Sequence, residues 1–289
     1  MSFKGLNEIV AQCKMKGKSF WEIVLEEDTL DRQVTAAESF ARMKNLYICM
    51  KQADAAYDGS LKSASKLIGG DGEKFMAARR EGILMSGAFA GEVIEKALKI
   101  NESNACMKKI VAAPTAGSCG VIPAILLTYE GLKQADMDTM VKALYVAGGI
   151  GEVIAARAFL SGAAGGCQAE IGSASAMAAG ALTYLGGGDA EAITHAAAMA
   201  LKNLLGLVCD PVAGLVEVPC VKRNVVGAVN AIAASDMAIA GIRSRIPPDE
   251  VIDAMKDIGE MLPGPLKETG EGGLAATKTG RKILLRIMN

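Results

Sequence analysis

What this sequence has little of sets its limits. Aromatic residues make up only 4% of the 289, and net charge is nearly absent, with 31 Lys and Arg against 32 Asp and Glu. Without a surplus of positive charge there is no electrostatic footprint for phosphate backbones or anionic lipid, so nucleic acid is not an expected partner. Alternating runs of β-branched residues longer than a few positions do not occur, which argues against βαβ units. Nor does any motif repeat at the period of roughly 20–50 residues that marks solenoids. Close cysteine pairs of the C-x-x-C kind are missing, which removes zinc fingers and ribbons. The opening residues, Met1-Ser2-Phe3-Lys4-Gly5, run into amphipathic sequence without the apolar core of a signal peptide, so a cytoplasmic location is expected. There, 7 cysteines, an odd number, fit reduced thiols rather than a disulfide framework.

What is present is apolar and small. Hydrophobic residues reach 51%, and 33 Gly and 48 Ala supply much of the mass, which implies a core packed through close helix contacts. Charged residues at 22% are compatible with folding once this much apolar material is available to bury. The length exceeds the about 100–200 residues typical of a domain but suits one large helical unit. An all-α fold is therefore expected, as a single domain over 1–289 with an amphipathic helical part, 1–100, and a Gly/Ala-rich part, 101–289. Two charge-free stretches, 110–129 and 171–188, approach membrane-spanning length. Pro114, Gly117, Gly120 and Pro123 interrupt the first; Gly172, Ser173, Ser175 and Gly186-Gly187-Gly188 interrupt the second, and neither has aromatic belts or basic flanks. No membrane association is expected.

Helix signals are frequent. Ser19 and Glu22 form a capping box opening a helix over 20–27, and Met43, Leu46, Tyr47, Met50 and Tyr57 recur on one helical face as candidate core. Gly69-Gly70-Asp71-Gly72 breaks the chain before a helix over 74–97. Further helices are expected over 138–150, over 189–205 with Asp189 as N-cap and Gly206 just past its end, over 224–242, and from Pro247-Pro248-Asp249-Glu250 to about Met261-Leu262-Pro263. Between them the backbone is presented at 113–120, 162–166, 172–176 and 210–214.

Cysteine placement carries the most chemistry. Cys13, Cys49 and Cys106 lie in helical, apolar surroundings and read as small buried hydrophobes. Cys167, Cys209 and Cys220 each sit at a break, after Gly165-Gly166, before Asp210-Pro211 and after Pro219, where loop backbone can turn three thiolates toward one point. Three soft thiolates suit an iron–sulfur cluster, zinc or Cu(I). A three-cysteine site leaves one metal position open for substrate, whereas Cys119, in its own Gly-flanked loop, is a rival fourth ligand that would close it.

Five motifs in order then become specific: Ala113-Pro114-Thr115-Ala116-Gly117-Ser118; Gly166-Cys167-Gln168-Ala169-Glu170 running on to Gly180; Cys209-Asp210-Pro211-Val212-Ala213-Gly214; Val218-Pro219-Cys220-Val221-Lys222-Arg223-Asn224; and Lys267-Glu268-Thr269 followed by Gly272-Gly273-Leu274-Ala275. Over nearly its whole length the chain resembles the α chain of the iron–sulfur-dependent L-serine dehydratases. The resemblance implies a mostly helical catalytic domain, a [4Fe–4S] cluster held by Cys167, Cys209 and Cys220 with one iron open to L-serine, and pyruvate and ammonia as products. It makes 101–289 the cluster- and substrate-binding part. The second domain that some members carry is absent, which implies a separate β chain and a hetero-oligomer.

The reaction needs an acid for the leaving hydroxyl, a base for the α-proton and donors for the carboxylate. Glu170, three residues after Cys167, is the preferred base, ahead of Glu92; Lys222 is the other candidate catalytic group. Thr115, Gly117 and Ser118 form a turn able to bind a carboxylate. Ser173, Ser175, Arg223 and Asn224 complete the candidate substrate set. His195, the only histidine, stands among Ala and Met residues and reads as helix packing. Two other classes compete: a pyridoxal-phosphate dehydratase with Lys222 as the Schiff-base lysine, opposed by the shortage of strands, and a non-enzymatic helical membrane protein.

Overall fold

Polar side chains at helix starts set much of the architecture. In the computed structural model, which describes residues 3–288, the chain forms α1 (Leu6–Lys16), α2 (Phe20–Arg32), α3 (Ala36–Ala55), α4 (Asp71–Arg80), α5 (Gly87–Ala105), α6 (Val121–Lys133), α7 (Met137–Arg157), the single turn α8 (Gly162–Gly165), α9 (Ser173–Leu185), α10 (Ala190–Lys202), α11 (Cys220–Ile239), α12 (Pro248–Met261) and α13 (Lys278–Met288). Among the described residues there is no strand, only an isolated parallel bridge between Cys209 and Lys267. The fold is all-α, as expected. Glu22 reaches back to the Ser19 amide at 2.9 Å, and Asp189 accepts the Ala192 N–H at 2.7 Å, so both expected caps form and satisfy amides that a helix start leaves unpaired.

Several boundaries differ from the sequence reading. The helix expected over 74–97 is two helices, because Gly82 and Gly87 adopt φ of +70° and +65° and turn the chain between α4 and α5. The segment 172–176 is not a turn: a five-residue π turn, Gln168–Gly172, leads directly into α9. The 224–242 helix starts earlier, at Cys220, and α13 lies in a tail where no helix was expected. Leu46, placed on the buried face, is 46% exposed, and Tyr57 falls beyond the end of α3, although Tyr47 and Met50 are buried as expected. Cys13 is buried, while Cys49 and Cys106 are only half-buried.

The centre of the molecule is α9. Every residue from Ser173 to Thr183 is buried, enclosed by α6, α7, α10 and α11. Small side chains let the neighbours come this close: a Cβ on Gly180 would lie 2.1 Å from Ile150 Cδ1 of α7. The alanine and glycine content is thus the price of surrounding one helix with four others. Of the described helices, α7 alone is long and apolar enough to cross a membrane, and its face from Met140 to Ile154 is buried in the bundle. The two interrupted stretches behave differently: 110–129 is a loop with a short 3₁₀ turn followed by most of α6, and 171–188 is the end of the π turn, α9 and the turn after it.

Candidate active site

Three breaks in the helical pattern bring Cys167, Cys209 and Cys220 to one end of α9. Cys167 follows Gly166, whose φ is +77° and where a Cβ would lie 2.6 Å from Leu262 Cδ1. The next residue, Gln168, is fully buried and ties the turn down: its N–H donates to Leu207 O at 2.9 Å, its Nε2 donates to Met255 O at 3.1 Å, and its Oε1 accepts from Gly206 N at 2.9 Å. Cys209 lies in the isolated bridge, its N–H donating to Leu266 O and its carbonyl accepting from Glu268 N, both at 2.8 Å. Cys220 opens α11 directly after the cis peptide Val218–Pro219.

All three thiols are buried, and Cys167 and Cys209 are in hydrogen-bond contact. The bond from Cys209 holds the Cys167 thiol below its ordinary range, with help from the Arg223 cation beside it. The same bond, together with burial, pushes Cys209 upward. Burial first, then the charges of Cys167 and Glu170, push Cys220 up to about 12. Arg223 is also anchored: it donates to Val208 O at 2.7 Å and to Asp210 Oδ1 at 2.8 Å. Asp210 Oδ2 accepts from Leu274 N at 2.8 Å, so one Arg–Asp pair ties together the segments around Cys209, Cys220 and the 267–275 strap.

Glu170 faces the same pocket. The Thr115 hydroxyl and the Gly162 amide donate to its carboxylate, and burial, the dominant influence, raises it above the ordinary carboxylate range. A Cβ on Gly162 would lie 2.7 Å from Cys209 Sγ and 3.1 Å from Glu170 Oε2, and one on Gly117 would lie 3.2 Å from both Glu170 oxygens. Glycine at these two positions is what lets backbone close over the thiol and the carboxylate. Ser118, fully buried, has its hydroxyl 3.1 Å from that of Thr115. With the Thr115 proton directed at Glu170, Ser118 is the donor, giving a chain from Ser118 to Thr115 to Glu170.

The structure therefore brings Thr115, Gly117, Ser118, Glu170 and Arg223 to the three cysteines. The other candidates have other partners or none. Lys222 pairs with Asp71 of α4, with its side chain 58% exposed on the far side of α11. Ser175 donates to Gly227 O at 2.7 Å and accepts from Asn230 at 2.9 Å, within the seam between α9 and α11. Ser173 is fully buried and its Oγ has no hydrogen-bond partner. Asn224 is buried, with its amide spent on three backbone groups. Cys119 belongs to the main apolar core rather than to the cysteine pocket, and burial pushes its thiol up to about 12. His195 accepts from Ser244 N at 3.2 Å, joining α10 to the chain before α12, and Glu92 pairs with Arg79 and Lys96. The cavity of about 740 Å³ between α5, α6, α9 and α11 is also separate from this pocket.

Sequence reasoning missed Gly162, Gln168, Asp210 and Glu268. Glu268, in a left-handed conformation with φ +63°, sits close enough for its charge to raise both Glu170 and Cys209. Its motif was visible in the sequence; the non-local bridge to Cys209 was not.

Comparison with known proteins gives the family. The profile of the serine dehydratase α chain family matches residues 15–275. The "Probable L-serine dehydratase, alpha chain" of Bacillus subtilis (strain 168) is 46% identical over 285 residues, covering 99% of this chain and 95% of that protein. The "L-serine dehydratase, alpha chain" of Peptoniphilus asaccharolyticus is 41% identical over 278 residues, 96% and 95% of the two chains. "L-serine dehydratase 1" of Escherichia coli (strain K12) is 41% identical over 181 residues, which are 62% of this chain and 40% of that longer protein. The chain belongs to the serine dehydratase α chain family.

Proposed function

We propose that this chain is the catalytic α chain of an L-serine dehydratase, a lyase that converts L-serine to pyruvate and ammonia, and that Cys167, Cys209 and Cys220 hold a [4Fe–4S] cluster. The observation that carries the proposal is the meeting of three buried thiols with Glu170 and the Thr115–Ser118 turn in one pocket. Among the described residues no group of three or more His, Cys, Asp or Glu side chains is arranged to hold a metal ion. Cys167, Cys209 and Cys220 would hold an iron–sulfur cluster by surrounding a common space rather than by converging on one ion. Soft thiol donors and an adjacent Arg223 cation to offset their negative charge fit such a group.

Such a cluster, held by three protein ligands, would supply Lewis-acid chemistry toward the substrate hydroxyl. The chain's own groups have the remaining work. The Thr115–Ser118 turn offers the Gly117 backbone amide to the carboxylate, which fixes the Cα–H direction. Glu170, oriented by Thr115 and Gly162, takes the α-proton; burial makes its carboxylate a stronger base than an exposed one. Loss of that proton and of the β-hydroxyl yields aminoacrylate, which tautomerises to the imine and takes up water to give pyruvate and ammonia. Two relatives named as alpha chains match end to end, whereas the longer Escherichia coli enzyme is matched over less than half its length. The alpha-chain names support a separate β chain, and we place the two in a cytoplasmic hetero-oligomer.

The test is anaerobic co-purification with the β chain, followed by assays for iron, acid-labile sulfide and pyruvate. Iron, sulfide and pyruvate from L-serine are expected together. Pyridoxal phosphate in the active protein, or activity without iron, would overturn the proposal.

A further inference from the structure

Asn224 is buried in the first turns of α11, and its side chain makes three bonds to backbone. Nδ2 donates to Gly117 O at 2.7 Å and to Cys220 O at 2.9 Å, and Oδ1 accepts from Gly120 N at 3.0 Å. Two carbonyls and one N–H fix which end of the amide faces which group, and they leave no donor free for a substrate. On the opposite flank Asn104 of α5 donates to Ala116 O at 3.1 Å. The turn thus hangs between two helices by the carbonyls of consecutive residues. Gly120 has no room to shift, since a Cβ there would lie 2.6 Å from Asn101 Nδ2 and 3.2 Å from Asn224 Oδ1.

In a trans peptide the N–H points opposite to the C=O. Holding Ala116 O therefore sets the direction of the Gly117 N–H, and holding Gly117 O keeps the Ser118 N–H turned back onto Thr115 O, to which it donates at 3.4 Å. Gly117 is also the residue that abuts Glu170. We infer that Asn224, together with Asn104, is a positioning residue: it fixes the Thr115–Ser118 turn against the Cys220 end of α11, so that the Gly117 N–H faces the substrate carboxylate. The inference rests on the reading of the pocket as an L-serine site. It makes Asn224 the link between carboxylate binding and the thiol side of the pocket, without contact to the substrate.

The test uses glycine, which carries the carboxylate and ammonium of serine but no hydroxyl, so its affinity reports on the turn apart from the hydroxyl chemistry. In the anaerobic complex with the β chain, Asn224→Asp keeps the acceptor for Gly120 N–H but sets a carboxylate against two carbonyls. It should weaken glycine binding by calorimetry, and raise KM for L-serine, by about tenfold or more, the scale of one charge-assisted hydrogen bond. Iron per chain should stay at the wild-type level and kcat should fall less than KM rises. Asn104→Ala, on the other flank and more exposed, should shift both constants in the same direction by a smaller factor and serves where Asn224→Asp does not fold. Unchanged glycine affinity in folded, iron-replete variants would overturn the inference, as would iron loss with unchanged KM, which would make Asn224 a support for Cys220 alone. Wild-type protein that binds glycine yet forms no pyruvate would instead overturn the functional reading.

Discussion

The packing around α9 and the pocket at its N-terminal end are built from the same small residues and put them to opposite uses. Along α9, glycine and alanine let apolar side chains approach: the space a Cβ on Gly180 would take belongs to Ile150. In the pocket, Gly162 and Gly117 let backbone approach a thiol and a carboxylate. The first use minimises unfilled volume, where each lost contact costs stability. The second sets backbone directly against reactive atoms, where a displacement costs rate. One composition, read as simple helix packing, thus serves two purposes that only neighbours distinguish.

The comparison breaks if paired Gly→Ala substitutions have the same phenotype. Gly162→Ala is expected to have the largest effect, because its methyl group would press on Cys209 Sγ and Glu170 at once. Displacement of reacting groups by an ångström costs on the order of 100-fold, so kcat/KM should fall by about that factor while thermal stability changes little. Gly180→Ala should do the reverse. Overpacking a filled core costs roughly 1–3 kcal/mol, which lowers Tm by about 2–4 °C for each kcal/mol in a domain of this size, and the specific activity of the folded fraction should stay within about twofold of wild type. Kinetics combined with thermal melts of the two variants check both statements. A Gly162→Ala protein with wild-type kinetics would remove the distinction between the regions.

Local chemistry was legible in the sequence, and distant contacts were not. Caps at Ser19 and Asp189 follow from residues three positions apart, and so appeared where expected. The α4–α5 break depends on Gly82 and Gly87 turning through positive φ, a choice that a glycine permits but does not announce. The missed helix α13 is short, and its start is marked only by Thr277, whose hydroxyl accepts the Gly280 N–H at 3.0 Å. The cysteine trio stood out by its loop settings. Lys222 as a catalytic group and Asn224 as a substrate contact were both placed beside Cys220, yet two positions on a helix are turned about 200° apart, which sends Lys222 to Asp71 and Asn224 to the substrate turn. Glu268 reached the pocket through a bridge between segments almost sixty residues apart, beyond any local signal.

The most direct test of the central claim is the iron content of the anaerobically reconstituted αβ complex with single Cys→Ser substitutions. The account predicts about four irons per wild-type α chain, as one [4Fe–4S] cluster requires. Cys167→Ser, Cys209→Ser and Cys220→Ser should each lose most of the iron along with pyruvate formation, and Cys119→Ser, altered in the apolar core, should keep both. Full iron in all three pocket variants, or its loss only with Cys119→Ser, would contradict the account.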